Sequence, residues 1–505
     1  MNRNDRPSDS IITFRSPVRP LQISVEDANS YMKAYFERVH PEYPFLDWTD
    51  FEEKACSSHF QGIPAFSALY HTVLALGCQY RNGGSFDPGK GVASSIYQTA
   101  LGLLPDILVP KERLLNVQAI TAMAIFAHTV SYIQLGTMLI SEAARMVQLL
   151  GFNRAIYHGE NERACCRTFW VIYIFEKLSS FFCNRSSVLV DCDIGTPIPE
   201  VPEAVFGDFD WFLPMVRLGR LTSRAYEALF SISATLTPKD FSRAAIAAIE
   251  DELERWKISF PKAFRPEEPF QPTQFSADSS MAANLRMHYY YYSVVIALRR
   301  MTLHLDAEQF SRRQSKYTTT LMNAARATIE LTRYIDVEPY TPAWILVVAP
   351  LAASFILFDL VVHNPIHLET KRNLSLLGVA AGYFSRLEYA SGGSLPSSPF
   401  SDFVQIAGQY VRGVESGPID GAAGAQHARS VSDLSPEIPS VPGCDGVNEE
   451  STESSGTGSL YYPTEDVLFP MGCGFSEDPD LMEFFHQTFP ESFGLADRSG
   501  QGCSR

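Results

Sequence analysis

The residues able to do chemistry are few and scattered. Cys56, Cys78, Cys165, Cys166, Cys183, Cys192, Cys444, Cys473 and Cys503 contain no C-x-x-C pair, the usual unit of a structural zinc site, so no zinc or other cofactor is expected in this chain. Cys165 and Cys166 are adjacent near a predicted helix start, where backbone N–H groups favour thiolate. Neighbouring helical residues point in different directions, so one thiol is expected in the core and one at its margin, with redox sensing as the alternative. No G-x-S-x-G, H-E-x-x-H, G-x-x-x-x-G-K-[ST] or helix-entering G-x-G-x-x-G occurs, so no enzyme active site is predicted. Glycines 83, 84, 89 and 91 surround Asp87-Pro88, but Lys90 is out of register for a phosphate loop and a surface turn is expected. His40, His71, His128, His288, His304 and His363 lie on or beside apolar segments and read as hydrogen-bonded core residues rather than ligands.

The densest signal runs from Gly136 to Pro202. A first helix carries Arg145 and ends at Gly151. A second starts near Glu162, carries Arg163, Arg167 and the apolar FWVIYIF face with Phe169 and Trp170, and delivers an Asn-Arg-Ser turn into the Asp191-Cys192-Asp193 loop. Arg145, Arg185, Asp191 and Asp193 are expected to form an ion-pair network that locks this loop against the helix pair.

The elements that must position these residues read as helices. Ser24 and Asp27 form a capping-box-like start to SVEDANSYMKAYFERV, which stops before the PEYPFL turn. Leu139, Ala143, Met146 and Leu150 recur at helical spacing ahead of Gly151, a residue able to take positive φ. The same stepping returns in Leu218, Leu221, Ala225, Leu229 and Ile232. It returns again in Ile246, Ile249, Leu253 and Trp256, in Leu285, Tyr289, Tyr292 and Ile296, and in Leu321, Ala324, Thr328, Leu331 and Ile335. The expected fold is all-α: a multi-helical regulatory domain over residues 22–413, after a flexible leader at 1–21. VLVDCDI (188–194) is read as an extended loop and 402–411 as a last helix. Residues 339–358 carry no charge over a length that would span a membrane. Pro342, Pro350 and the absence of flanking Lys or Arg clusters favour a buried helix pair and no membrane partner; an integral membrane protein anchored by 339–358 is the alternative.

The net charge of −16 is unevenly spread. Val431 to Asp497 holds fourteen Asp or Glu and no Lys or Arg, which leaves −2 on the remainder. A nearly neutral body has no bulk attraction for DNA or for an anionic membrane. Residues 414–460 are rich in Gly, Ser, Pro and acid and are expected to be disordered. In 461–505, acids interleave with Leu468, Phe469, Leu481, Phe484, Phe485 and Phe489. Repulsion between the acids keeps these side chains available to a coactivator or the transcription machinery, so an activation segment is expected. The N-terminus shows no secretory leader pattern, so reduced thiols are expected.

The Gly136–Pro202 run resembles the signature of the fungal-specific transcription factor domain, the middle homology region of fungal zinc-cluster regulators: G-x(5-8)-A-x-R-x-x-x-x-L-G, E-R-R-R-x-F-W, G-R-P, D-x-D and P-x-P. YFERVHPEYPFL, LGRLTSRAYEALFS, HYYYYSVVIALRR and HNPIHLETKRNLSLLGVAAGYFSRLEYAS resemble its other conserved-type segments, so the likeness extends over most of 22–390. The motif positions are Arg145, Gly151, Arg163, Phe169, Trp170, Arg185, Asp191 and Asp193, with Asn184-Arg185-Ser186 standing where the family has G-R-P. The resemblance implies a nuclear transcriptional regulator, not an enzyme, controlling a metabolic or secondary-metabolite gene cluster. It also implies a homodimer and a small-molecule effector. The six-cysteine cluster that reads DNA in this family is not among these residues, so direct DNA contact is expected only if such a cluster precedes this sequence, and otherwise contact through a partner. An α-helical enzyme of unknown substrate is the remaining alternative.

Overall fold

The computed structural model describes residue 14 and residues 21–415, apart from 58, 60–61, 88, 130–132, 155–160, 207–208, 273–274, 276–277, 306–311 and 396–397. Most of the expected leader, the linker beyond Glu415 and the whole 461–505 segment, with Leu468, Phe469, Leu481, Phe484, Phe485 and Phe489, lie outside the described residues.

The helices in chain order are α1 (Val25–Arg38), α2 (Trp48–Cys56), α3 (Pro64–Cys78), α4 (Gly91–Gly102), α5 (Leu114–Thr129), α6 (Ile133–Leu150), α7 (Glu162–Phe182), α8 (Phe212–Ala225), α9 (Lys239–Ile258), α10 (Asp278–Leu305), α11 (Arg312–Glu330), α12 (Ala349–His363), α13 (Thr370–Ala390) and α14 (Ser398–Glu415). Shorter turns join them. Among the described residues the only strands are Val205–Phe206 and Phe209–Asp210, a two-residue antiparallel ladder that the sequence reading did not foresee. It is too short to leave an alternating pattern.

Local signals account for the helix ends. Ser24 Oγ accepts from the Asp27 amide at 3.0 Å and donates to the Asp27 carboxylate at 2.7 Å, closing the first turn of α1. Gly151 ends α6 at φ 77°, where a side chain would strain the backbone. The stripes at 139–150, 246–256, 285–296 and 321–335 are buried with the one exception of half-buried Leu150. The stripe from Leu218 ends at Leu229, however, and Ile232 is 81% exposed. A π-helical turn at Tyr226–Phe230 and an extended Ser231 shift the phase, so Ile232 starts a new one-turn helix facing outward.

α5 is buried nearly all round and packs between α3 and α6, as an apolar helix without a polar face must. α7 lies against α6 and α8, α8 leads through α9 to α10, and α10 to α14 pack in succession. The expected helix pair at 339–358 is instead one continuous element: a π-helical turn, Trp344–Val348, runs directly into α12. Pro350 sits at the junction and donates no N–H back to the preceding turn; the Leu346 carbonyl accepts instead from Tyr383 Oη at 2.7 Å. Trp344–His363 is long and apolar enough to cross a membrane, and 72% of that window is buried within the fold.

Candidate regulatory site

α7 places Cys166, Trp170, Tyr173 and Lys177 on one face by helical spacing, with Glu176 and Ser180 beside them. Residues 184–204 return across this face as a strap, and nearly every polar group of the face reaches it. Trp170 Nε1 donates to the Pro197 carbonyl at 2.7 Å, as does Cys166 Sγ at 3.0 Å. Tyr173 Oη donates to Asp191 Oδ1 at 2.5 Å. The Lys177 ammonium, buried at 2% exposure, donates to the Leu189 carbonyl at 2.5 Å, Ser223 Oγ at 2.9 Å and Asp191 Oδ2 at 3.3 Å. Glu176, equally buried, accepts from the Val188 amide at 2.7 Å, Ser187 Oγ at 2.6 Å and Ser180 Oγ at 3.0 Å. Just past the end of α6, Asn153 grips the strap twice: its side-chain Nδ2 donates to the Asp193 carbonyl at 2.9 Å, and its main-chain carbonyl accepts from the Gly195 and Thr196 amides.

This corrects the expected network. Asp191 is locked, but by Lys177 and Tyr173; Asp193 is held through its main-chain carbonyl; Arg145, Arg163 and Arg185 are exposed, and Arg145 and Arg185 make no ion pair among the described residues. The reason is geometric. Arg145 points away from the α6–α7 seam, whereas Lys177 lies one helical turn beyond Tyr173, directly beneath the loop. Gly219 of α8 permits the close approach, since a Cβ there would sit 3.1 Å from the Tyr173 ring. Burial pushes the Asp191 carboxyl up, but hydrogen bonds from Ser223 and Tyr173 and the Lys177 ammonium outweigh it and hold the group below the ordinary aspartate range. The loop itself is a short 3₁₀ turn, Asp191–Asp193, within otherwise extended chain.

The Asn-Arg-Ser departure also has a physical account. Asn184 follows the end of α7 at φ 50°, and the Arg185 amide bonds back to the Ser180 carbonyl at 2.8 Å. A left-handed residue is required there, and asparagine is the side chain that tolerates it best after glycine.

Arg167, one turn before Trp170, fastens a second connection: its Nε donates to the Pro44 carbonyl at 2.9 Å and its Nη2 lies 3.0 Å from Glu203. Nearby, the turn after α1 meets α7, α8 and α10 around a narrow cleft, partly open to solvent and with room for no more than one or two waters, lined by Glu42, Tyr43, Arg286 and Tyr290 together with apolar side chains of α7 and α8. Arg286 Nη2 pairs with Glu42 at 2.7 Å and Nη1 donates to Tyr43 Oη at 2.8 Å. Burial pushes the Glu42 carboxyl up, and Arg286 pulls it back; Arg286 stays protonated. Sequence reading passed over Lys177, Glu176, Glu42 and Arg286. The one available signal was a Glu-Lys pair inside the apolar FWVIYIFEKLSSFF run.

The remaining chemical candidates resolve as follows. Cys165 is buried and Cys166 half-buried, as expected, and burial pushes the Cys166 thiol up, away from thiolate. Lys90 pairs with Asp87 at 2.9 Å in a turn. No cluster of three His, Cys, Asp or Glu suited to a metal occurs among the described residues. His40 meets the Leu46 carbonyl at 2.8 Å and His71 the Ser67 carbonyl at 2.8 Å, while His304 and His363 are exposed. His128 departs from expectation: it is buried with Nε2 unpartnered, 4.6 Å from the Phe175 ring.

Burial lowers His128 and His288 to about 4. Both are neutral in the folded chain but take up a proton near 6.5 when unfolded, so stability is full above that value and falls as pH drops from 6.5 toward 4. Lowering pH from 7 to 5 should remove about 2 kcal/mol of unfolding free energy for each. Urea unfolding at the two pH values checks this, and His128→Leu should flatten the dependence by its share.

Residues 32–258 match the family model described as the Fungal specific transcription factor domain. An ABC-transporter-regulating transcription factor of Aspergillus oryzae is 23% identical over 482 residues, covering 88% of this chain and 53% of that protein. A protein of the same description from Aspergillus fumigatus is 23% identical, covering 72% and 44% respectively. The Fusaridione A cluster transcription factor of Fusarium heterosporum is 22% identical, covering 76% and 77%. The chain thus spans about half the length of the first two relatives. The matched family and these relatives are transcription factors rather than enzymes.

Proposed function

We propose, proceeding from a chain whose residues 32–258 belong to the Fungal specific transcription factor domain family, that the protein is a nuclear transcriptional regulator. The helical body is its regulatory and dimerising part, responsive to a small-molecule effector, and residues 461–505 are its activation segment. The family match carries the reading, and the strapped α7 face supports it: the motif residues Phe169 and Trp170 are buried, and Trp170, Asp191 and Asp193 all take part in closing the strap. The relatives' descriptions favour genes for transport or for a biosynthetic cluster as targets. DNA is reached through a zinc cluster upstream of Met1 or through a partner that supplies one.

A reporter assay tests the division of labour. Fused to a heterologous DNA-binding domain, the full chain should activate transcription, and deletion of 461–497 should abolish activation while the helical body keeps its circular dichroism and unfolding midpoint. Unchanged activation would remove the tail from the mechanism.

A further inference from the structure

We propose that Thr237 is the acceptor of a proline-directed protein kinase, an enzyme that transfers the γ-phosphoryl group of a nucleoside triphosphate to a hydroxyl directly before a proline. This modification of the helical body requires neither an effector nor the acidic segment.

Ser-Pro or Thr-Pro pairs begin at Ser16, Thr196, Thr237, Thr341, Ser398 and Ser435. Ser16 and Ser435 lie outside the described residues, and Ser398 opens α14. The three threonines differ in access. Thr196 is buried at 8% exposure within the strap, and Thr341 is half-buried and donates to the Asp336 carbonyl at 2.7 Å. Thr237 instead lies within 235–241, seven consecutive exposed residues and the longest such run among the described residues. Leu236 and Phe241, at 77% and 68% exposure, hold two large apolar side chains in water on either side of the acceptor, where an enzyme's groove can cover them. In-line transfer needs the acceptor oxygen to reach the γ-phosphorus inside the enzyme's cleft, which a buried or helical acceptor does only after local unfolding. Thr237 sits in neither helix: it bends between the one-turn helix Ile232–Thr235 and α9, and Pro238 after it is extended at φ −56°, ψ 139°. Its hydroxyl donates only a long bond, 3.4 Å to the Ser233 carbonyl. Pro238 carries no N–H, so a pocket that offers no acceptor at that position prefers it to any other residue. In the reaction, Thr237 Oγ1 attacks the γ-phosphorus as the bond to the β–γ bridging oxygen breaks. The hydroxyl proton passes to the enzyme's base and the nucleoside diphosphate leaves. The product adds about two negative charges beside Lys239 and ahead of α9, whose start has no side-chain cap, so the folded body accommodates it.

The test incubates the full chain with magnesium ATP and a purified mitogen-activated protein kinase, and follows each position by peptide mass spectrometry, which keeps incorporation at Ser16, Ser398 and Ser435 apart. The expected result is near-stoichiometric phosphate on Thr237, with initial rates at Thr196 and Thr341 at least about tenfold lower because those hydroxyls must first be uncovered. Pro238→Ala restores an N–H after the acceptor and should slow transfer to Thr237 by at least about tenfold. Thr237→Ser keeps the hydroxyl and should still be modified at that position. An unmodified Thr237, in a reaction where the same kinase phosphorylates added myelin basic protein, overturns the proposal. So does a rate at Thr237 that P238A leaves unchanged. If P238A does not fold, the ratio of Thr237 to Thr196 and Thr341 on the natural chain decides alone, and equal rates overturn the assignment.

Discussion

Replacing Lys177 by methionine is expected to lower the unfolding free energy by about 3 kcal/mol and to open the 184–204 strap to protease. The ammonium is buried and serves three acceptors from three places: the Leu189 carbonyl, Ser223 of α8 and Asp191. Methionine fills the same stem volume, so the loss isolates the charge and its hydrogen bonds. The value lies at the low end for breaking a buried pair because the Asp191 side chain keeps 31% exposure and the Tyr173 hydroxyl. The folded-state carboxyl of Asp191 is held below its ordinary range, so its contribution is present above that range and lost as pH falls through the folded value. The difference between natural chain and K177M should therefore narrow in acid. Adding Asp191→Asn to K177M should recover part of the loss, since it removes the charge left behind. A loss under about 1 kcal/mol, the range of exposed pairs, would mean that Trp170 and Asn153 hold the strap without the ion pair.

Arg286→Met should be costlier, about 3–5 kcal/mol, because it strands the Glu42 carboxylate at 8% side-chain exposure. Without the guanidinium, the buried carboxyl is pushed further up. A folded-state value raised above the unfolded one gives stability that is present at low pH and lost as pH rises through it, so the deficit of R286M should shrink on going from pH 8 to pH 5. That slope is opposite in sign to the one set by His128 and His288, so the variant-minus-natural difference, in which the histidines cancel, is the quantity to measure. The double variant Glu42→Leu with Arg286→Met should regain most of the loss. A double-mutant cycle that sums additively would mean the two groups are not coupled.

The contrast between these two sites explains what was legible in the residues alone. Helices declared themselves wherever a stripe faced one core and the caps agreed, as in α1 with Ser24 and α6 with Gly151, because both signals are local. The stripe at Leu218–Ile232 failed at its last member because a π-helical turn inserts a phase change that apolar spacing does not encode. The motif run from Gly136 to Pro202 was correctly placed at a loop clasped to a helix, yet its partners were misassigned: charge sign suggested arginines, and the fold used Lys177.

Sequence by itself determined the class of this protein: an all-α body over most of its first four hundred residues, a separate acidic segment, no catalytic motif and a transcription-factor signature. The helical body, the acidic segment and the lack of a catalytic motif follow from periodicity, composition and spacing, which are properties of neighbours along the chain; the signature follows from resemblance to a known family. Tertiary structure alone decided which charges are buried and with whom. Glu42 and Arg286, or Lys177 and Ser223, lie tens to hundreds of residues apart. Which side chain reaches a buried acceptor depends on helix approach, here set by Gly219 beside Tyr173, and that distance is written nowhere in the local pattern.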